Sequence, residues 1–567
     1  LNDLYVRFFR MAERRIAEKT RQGVVCFISN YSWLDGLSFT GMRERYLEAF
    51  DAVRIDCLNG DKYKTGKVAP DGSPDPSIFS TESDPVGIQV GTAIATLVRK
   101  ANHKPAGAVG FRHLWGQAKP EELTATAEAA PDALYEEVKP VLPLGLPFVG
   151  TAVSAGWFDW PSLPELFPVS FPGVKTSRDG FLVDVDLDRL RARVDDYFDA
   201  SLSHEEIERR YPAAMNTTAR FDAPAVRDAR LKRGGPDESG FIRFAYRPFD
   251  YRWLYWDGEG NLLDRPRAEY RPHVFAGNLW LSAAPHLRKS AEEPQSCFST
   301  HMSSLHLIER GATMFPARLL DHGISGEGSR PLQPNLTPTA QRYLDDLGLG
   351  PEDLFHHTLA VLHDPTYRKT NAGALRMEWP RIPLSGYPNG GDERAAETMR
   401  RSAAHGRELA ALLDPETPIP GVTQAPLRPE IAAIAVPGTA HGRNMAGEDF
   451  AITAGWGRHG QGDAVMPGQG NAVERTFTSE ERAAMSDSVR QLGETTFDVH
   501  LNANAFWHNV PAAVWHYTLG GYQVLKKWLS YREQSILQRP SRPEEVQQFA
   551  EIARRIAAIL MITTQRS

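Results

Sequence analysis

A chain of 567 residues with 41% apolar side chains can bury a sizeable core, and its length suggests roughly two to four domains. A net charge of -7 argues against a surface that binds nucleic acid by charge alone, so any DNA contact must come from a local basic cleft. No apolar run approaches the roughly 18 to 20 residues of a membrane span, and the residues read here carry no signal-peptide pattern. The widely spaced Cys26, Cys57 and Cys297 read as buried thiols of a reducing compartment, the cytoplasm, with neither a disulfide framework nor metal spacing.

From Leu1 to Arg15, Leu1, Leu4, Phe8 and Met11, with Tyr5, Phe9 and Ala12, recur at three- and four-residue steps. This predicts a helix with one face turned to a core. Gly23 introduces the apolar run Val24-Val25-Cys26-Phe27-Ile28, expected to be an interior strand of a mostly parallel sheet. A helix from about Phe39 to Phe50 and a strand from Ala52 to Leu58 follow. This alternation is the doubly wound pattern, in which ligands sit beyond the carboxyl ends of the strands. Asn30 to Asp35 and Asn59 to Lys67 occupy that edge. Gln89 to Arg99 and Ala106 to Trp115 read as further strands, and Lys119 to Tyr135 as a helical segment.

The Pro-rich Val138 to Val149 marks a boundary, and Pro161, Pro164, Pro168 and Pro172 suit an extended surface. Leu187 to Leu202 reads as a charged helix with a solvated face. Between Phe241 and Lys289 arginines interleave with aromatics: Arg243, Tyr246, Arg247, Phe249, Tyr251, Arg252, Trp253, Tyr255 and Trp256, then Arg265, Arg267, Tyr270, Arg271 and His273. Arginine forks match phosphate oxygens and the paired acceptors of guanine, while aromatics wedge or stack where a base is displaced. Asp250, Asp257, Glu259, Asp264 and Glu269 nearly balance the arginines, so a two-sided strand accounts for the same alternation.

His301, His306 and Glu309 lack zinc spacing and read as structural, so no metal site is assigned. Thr337 to Leu347 is a helix opened by a Thr-Pro cap and closed by Gly348. His356, His357 and His363 on the Pro351 to His363 helix are expected as capping or surface groups. Glu393 to Leu413 is helical, Gly438 to Gly470 suggests hairpins and loops, and the helices Gly521 to Gln534 and Pro543 to Ile562 end the chain. Trp507, Trp515 and Trp528 are expected to pin them into one core.

Several stretches resemble the methyltransferase and target-recognition portion of the single-polypeptide, type ISP, restriction-modification enzymes. More widely, the start of the chain resembles the second half of an adenine-specific, S-adenosylmethionine-dependent DNA methyltransferase. Carrying the likeness are LNDLYVRFF, CFISNYSWLDG, LNGDKYKTGK, YRPFDYRWLYW, RPRAEYRPHVF, NAGALRMEWPRIPL and GGYQVLKKWLSYRE, spread from Leu1 to Glu533. The resemblance implies an α/β partial doubly wound, Rossmann-like methyltransferase sheet over residues 1–137. A mixed α+β target-recognition region would follow, β-rich over 138–330 and with a helical C-terminus over 331–567. It implies that Tyr5 and Phe8 wall the adenine pocket of S-adenosylmethionine. It also implies that Phe79, with Asn30 and Trp33 at the same edge, meets an adenine flipped out of the duplex. Core packing accounts equally for Tyr5 and Phe8, and a loop anchor for Phe79. Further along, it points to Arg247, Arg252, Arg265, Arg267 and Arg271 as contacts to double-stranded DNA.

Two motifs of such an enzyme do not occur: the Gly-rich cofactor turn and the Asn/Asp-Pro-Pro-Tyr/Phe turn that holds the adenine amino group. The expectation is therefore a fragment of an adenine-specific DNA methyltransferase, inactive without an upstream catalytic half, with nuclease and helicase parts in the same polypeptide. A non-catalytic DNA-specificity module on a methyltransferase-like scaffold is the alternative. An intracellular binding protein without DNA affinity is the third.

Overall fold

A computed structural model describes residues 3–126, 133–218, 221–285, 287, 293–308, 311–320, 332–460, 464–484 and 491–564. The chain divides into two compact units. The first is Leu1–Ser154 with His286–Lys289 and Asn371–Glu378; the second is Ala155–Pro285, Ser290–Thr370 and Trp379–Ser567. The boundary read at 138 thus lies within the first unit, and 331 lies within the second.

The first unit is built on five strands, β1 (Gly23–Asn30), β2 (Ala52–Asn59), β3 (Thr92–Arg99), β4 (Val109–His113) and β5 (Glu136–Val138). They lie in the order β1-β3-β2-β4-β5, and β2 with β4 is the one parallel pair among them. The sheet is therefore mostly antiparallel where a mostly parallel one was expected, and β1 is an edge strand, not an interior one. An apolar run cannot tell these settings apart: Val25 is buried on one face of β1 while Val24 and Ile28 are exposed on the other.

Helix α1 (Leu4–Glu13) continues as a wider π-helical turn over Arg14–Thr20, and α2 (Thr40–Ala49) follows β1. The recurring apolar residues of α1 split between two faces. Phe9 is buried with Tyr5 and Ala12 packed nearby, whereas Leu4, Phe8 and Met11 point outward. Between α1, α2 and the sheet, Phe9 and Trp33 lie 5.3 Å apart, and Trp33 and Phe148 5.8 Å. Arg43, fully buried, donates from its guanidinium to the carbonyls of Trp33, Gly36 and Gly145 and so fastens the turn after β1. Cys57 and Cys297 are buried as expected, but Cys26 is exposed because it shares the outer face of β1 with Val24 and Ile28.

In the second unit, one four-stranded sheet runs Cys297–Ser299, Trp280–Ala283, Thr313–Pro316, Phe171–Pro172. Another runs Met302–Ser303, Phe241–Arg247, Asp250–Tyr255, Val183–Asp184. A third, near the C-terminus, orders Val436–Thr439, Ala505–Pro511, Thr495–His500 and Ala472–Thr476. The Pro543–Thr564 helix is held against it: Trp507 Nε1 donates to the Val546 carbonyl at 3.0 Å, and its ring lies 4.0 Å from Phe549. The helices Pro351–His363 and Glu393–Leu413 cross so closely that a Cβ on Gly406 would sit 1.9 Å from the carbonyl oxygen of His356.

That close crossing corrects the reading of the histidines. His356, His357 and His363 are all buried: the Glu393–Leu413 helix packs tightly on theirs, and the imidazoles of His357 and His363 meet the carbonyls of Pro383 and Ser296. Burial pushes His357 down to about 4. For His363, burial and the nearby Arg368 push it down to about 3. An unfolded chain takes up these protons below about pH 6.5, the folded chain only near pH 4 and 3, so the stability they confer is intact above pH 6.5 and is lost as pH falls. Urea midpoints should decline from pH 7 to 4, and His363→Gln should flatten that decline by up to about 1.4 kcal/mol per pH unit.

Candidate nucleic-acid interface

In the first unit, the edge where ligands were expected is formed by residues 60–91, which join β2 to β3 and contain no regular strand or helix. Two carboxylates shape this loop. Asp61 accepts from the backbone N–H groups of Tyr63, Lys64 and Gly91 at 2.6, 2.7 and 2.9 Å, drawing the two ends of the loop together. Burial alone would raise its pKa, but these N–H groups outweigh it and lower the carboxyl below its usual range. Asp75 accepts from the N–H of Gly60 at 2.7 Å and of Gly116 at 2.9 Å, and pairs with the buried Lys119 at 2.6 Å. Gly60 has φ +73, and a Cβ there would lie 2.9 Å from Ser77 Cα, so the loop closes only on glycine.

From this fixed base Tyr63, Val68, Phe79, Val86 and Ile88 project into solvent, with Phe79 43% exposed. Phe79 thus lies on this loop with its ring partly exposed. The other target-base candidates are not so placed. Trp33 is fully buried, because Tyr31–Leu34 form a 3-10 turn that folds it back against Phe9, and its indole N–H donates to Ser29 Oγ. Asn30 spends its side-chain oxygen on the N–H of Ser32, opening that turn. Of the two residues expected at the cofactor, Tyr5 is half-buried with its ring 6.4 Å from that of Phe39, and Phe8 faces outward at 54% exposure.

In the second unit, the arginine-rich stretch folds as a hairpin of Phe241–Arg247 and Asp250–Tyr255, turned at Phe249 with φ +59. Arg247 and Arg252 were expected on DNA, but both are buried. The Arg252 guanidinium lies between the rings of Tyr246 and Tyr531, 4.1 and 4.2 Å from their centroids, and pairs with Asp250 at 2.6 Å. Asp250 in turn pairs with Arg532 at 2.7 Å. Arg247 stacks on Tyr246 and donates to its carbonyl. Burial would raise the pKa of Asp250, but Arg252 and Arg532 overcome it and hold the carboxyl below the carboxylate range. The sequence signal for this was Asp250 itself, two residues before Arg252 on the same strand face.

Arg265 is exposed, and Arg267 and Arg271 are partly so. The Arg265 backbone bridges that of Lys175, and Arg267 reaches Glu269 at 4.0 Å. Arg271 lies 5.7 Å from the ring of Trp256, whose indole N–H is fixed by the Pro266 carbonyl. Among the described residues, neither Arg265 nor Arg271 has a carboxylate within ion-pair distance. Arg243 stacks on Trp253 and is occupied by Glu416, which also binds His301 at 2.8 Å. Glu309 lies outside the described residues, and among the described residues no three His, Cys, Asp or Glu side chains could hold a metal ion. No described helix is long and apolar enough to cross a membrane.

Residues 165–558 match the family described as the Type ISP C-terminal specificity domain, and the chain belongs to that family. No curated protein matches the chain. Among solved structures it is similar to a cryoEM structure of a DrdV–DNA complex, with TM-score 0.58 and 20% identity. It is similar too to the ATP-dependent Type ISP restriction-modification enzyme LlaBIII bound to DNA, with TM-score 0.60 and 16% identity. A third is a nuclease-deletion mutant of the Type ISP enzyme LlaGI with a DNA substrate mimic, with TM-score 0.57 and 16% identity. Each match covers the whole of this chain but only 52%, 34% and 47% of those chains, so the chain spans about a third to a half of their length. The family match overturns the expectation of an adenine methyltransferase: what matches is a specificity domain, a recognition module.

The buried cluster and the exposed ridge predict separable effects. Asp250→Asn leaves two buried guanidinium groups without their anion and should lower the unfolding free energy by about 3–5 kcal/mol, read as a urea midpoint shift. Arg265→Ala should leave that midpoint within about 0.5 kcal/mol of the parent.

Proposed function

We propose that this chain is the DNA-specificity module of a restriction-modification enzyme and holds one sequence of double-stranded DNA. The observation that carries the reading is the match of residues 165–558 to the Type ISP specificity domain. The solved structures of similar fold contain DNA or a DNA substrate mimic, which supports the same partner. With a net charge of -7, contact has to be local, and Arg265 and Arg271, which have no carboxylate within ion-pair distance among the described residues, offer guanidinium groups suited to phosphate or guanine beside Trp256 and the Glu269-paired Arg267. Phe79 and Tyr63 on the carboxylate-pinned loop of the first unit offer ring faces of the kind that stack on a displaced base. Recognition of this kind needs no chemical step from these residues.

Fluorescence anisotropy on a randomised duplex pool, followed by sequencing of the bound fraction, should return one enriched sequence. Affinity for it should fall steeply with salt. Arg265→Ala or Arg271→Ala should each weaken binding by about 1–3 kcal/mol if the guanidinium reads a base, and otherwise reduce the salt slope by about one. A pool that emerges unenriched, or affinity indifferent to both arginines and to salt, overturns the reading.

A further inference from the structure

Beside the Asp250 cluster the second unit contains a cavity of about 140 Å³. That is below the ~300 to 1,000 Å³ of sites for drug-sized molecules, yet it leaves room for one small ion. Three arginines line it, Arg189, Arg193 and Arg252, together with Tyr246, Tyr531, Asp179 and Asp184. Both carboxylates are already engaged. Asp184 pairs with Arg193 at 2.8 Å and lies 3.9 Å from Arg189, while Asp179 accepts from the hydroxyls of Tyr246, at 2.6 Å, and Thr176. Arg252, 8% exposed, gives Nε and Nη2 to Asp250, and among the described residues its Nη1 has no partner. Three further cations adjoin the same rings and the same carboxylate. Arg247 lies 4.0 Å from the Tyr246 centroid, Lys527 lies 4.5 Å from that of Tyr531, and Arg532 is on Asp250. These six cations stand around three carboxylates, Asp179, Asp184 and Asp250, whereas the neighbouring pairs Arg539–Glu545 and Arg542–Asp186 are each balanced. The Nε atoms of Arg193, Arg247 and Arg532 are buried without a hydrogen-bond partner. Burial would raise the pKa of the Tyr531 phenol, but Arg247, Lys527 and Arg252 bring it below its usual value, so the local field favours negative charge.

We propose that this cavity binds one tetrahedral oxyanion, a phosphate group, against Arg252, Arg193 and Tyr531. A buried excess of cations is costly until an anion neutralises it, and the nearby carboxylates are already spent on other partners. Guanidinium forks and a phenol hydroxyl suit the several oxygens of phosphate, whereas a chloride ion offers a single point of charge. Inorganic phosphate and one phosphate of a DNA backbone present this same chemistry. The site therefore goes beyond the specificity reading and stands whichever of the two sources fills it.

The test is the urea midpoint of the 567-residue chain in inorganic phosphate up to about 10 mM, against chloride at matched ionic strength. The midpoint should rise along a saturable curve with phosphate and stay flat with chloride. Arg193→Gln should weaken the apparent phosphate affinity at least about tenfold. Because that change also leaves Asp184 without its closest cation, Val465→Phe is the second variant: Val465 lines the cavity, and the larger ring fills it without altering any charge. It should abolish the phosphate response, while Arg209→Gln, at an exposed arginine, should leave it intact. A midpoint that answers phosphate no more than chloride overturns the inference, as does a response that survives both Arg193→Gln and Val465→Phe. So does a phenolate absorbance band that is indifferent to phosphate and lost in Tyr531→Phe, since Tyr531 itself is then the anion. Competition of phosphate with labelled duplex at fixed ionic strength assigns the group to the DNA backbone, and a phosphate response without competition assigns it to the free ion; either supports the site. The stability readout uses no DNA, so failure here and failure of duplex recognition are distinguishable.

Discussion

In the second unit, one buried carboxylate ties the central hairpin to the C-terminal part of the chain. Asp250, 1% exposed, holds Arg252 on one side and Arg532 on the other, and the rings of Tyr246 and Tyr531 sandwich the first guanidinium. The hairpin and the segment after the Val524–Ser530 helix are distant in sequence, yet they share this ion cluster. Two cations around one anion would be costly in an apolar interior, and the surrounding hydroxyls and π faces offset part of that cost. At Tyr531 burial raises the pKa, but Arg247, Lys527 and Arg252 together bring it below the usual value.

The first unit applies the same device to a different end. Asp61 and Asp75 gather backbone N–H groups and one lysine, and so give shape to a loop that has no strand or helix of its own. The result is a pinned base with apolar tips, on which Tyr63 and the partly covered Phe79 are displayed. Buried acids thus act as scaffolding in both units, and the side chains available to a partner are the ones the acids leave alone.

Local punctuation was legible in the sequence. Thr337 accepts from the N–H of Ala340 and Gly348 closes the same helix at φ +62, as the Thr-Pro and Gly signals indicated. Trp507, Trp515 and Trp528 are buried. What could not be read was the direction in which a patterned residue faces. The two apolar stripes of α1 have the same spacing, and only the position of the sheet decides that Phe9 points in and Phe8 out. Trp33 lay at the expected edge in sequence, but a short 3-10 turn returns it to the core. Arginine interleaved with aromatics describes a recognition surface and a cation–π core equally well. Of the five arginines singled out, Arg247 and Arg252 are core, while Arg265, Arg267 and Arg271, past the last strand residue Tyr255, reach the surface.

The shared ion cluster bears on how segments of related chains could be exchanged. A segment exchanged between related chains at a point between Tyr255 and Tyr531 would bring Asp250 and Arg252 from one parent against Tyr531 and Arg532 from the other. Such a hybrid tolerates the junction only if both parents carry the same three charges and the same ring. The side chains of Arg265 and Arg271 take no part in this cluster, whereas Tyr270 between them is fully buried against Phe171 and Trp280. What can be exchanged without touching the cluster is therefore single exposed side chains such as Arg265, while the hairpin stays with its own C-terminal partner.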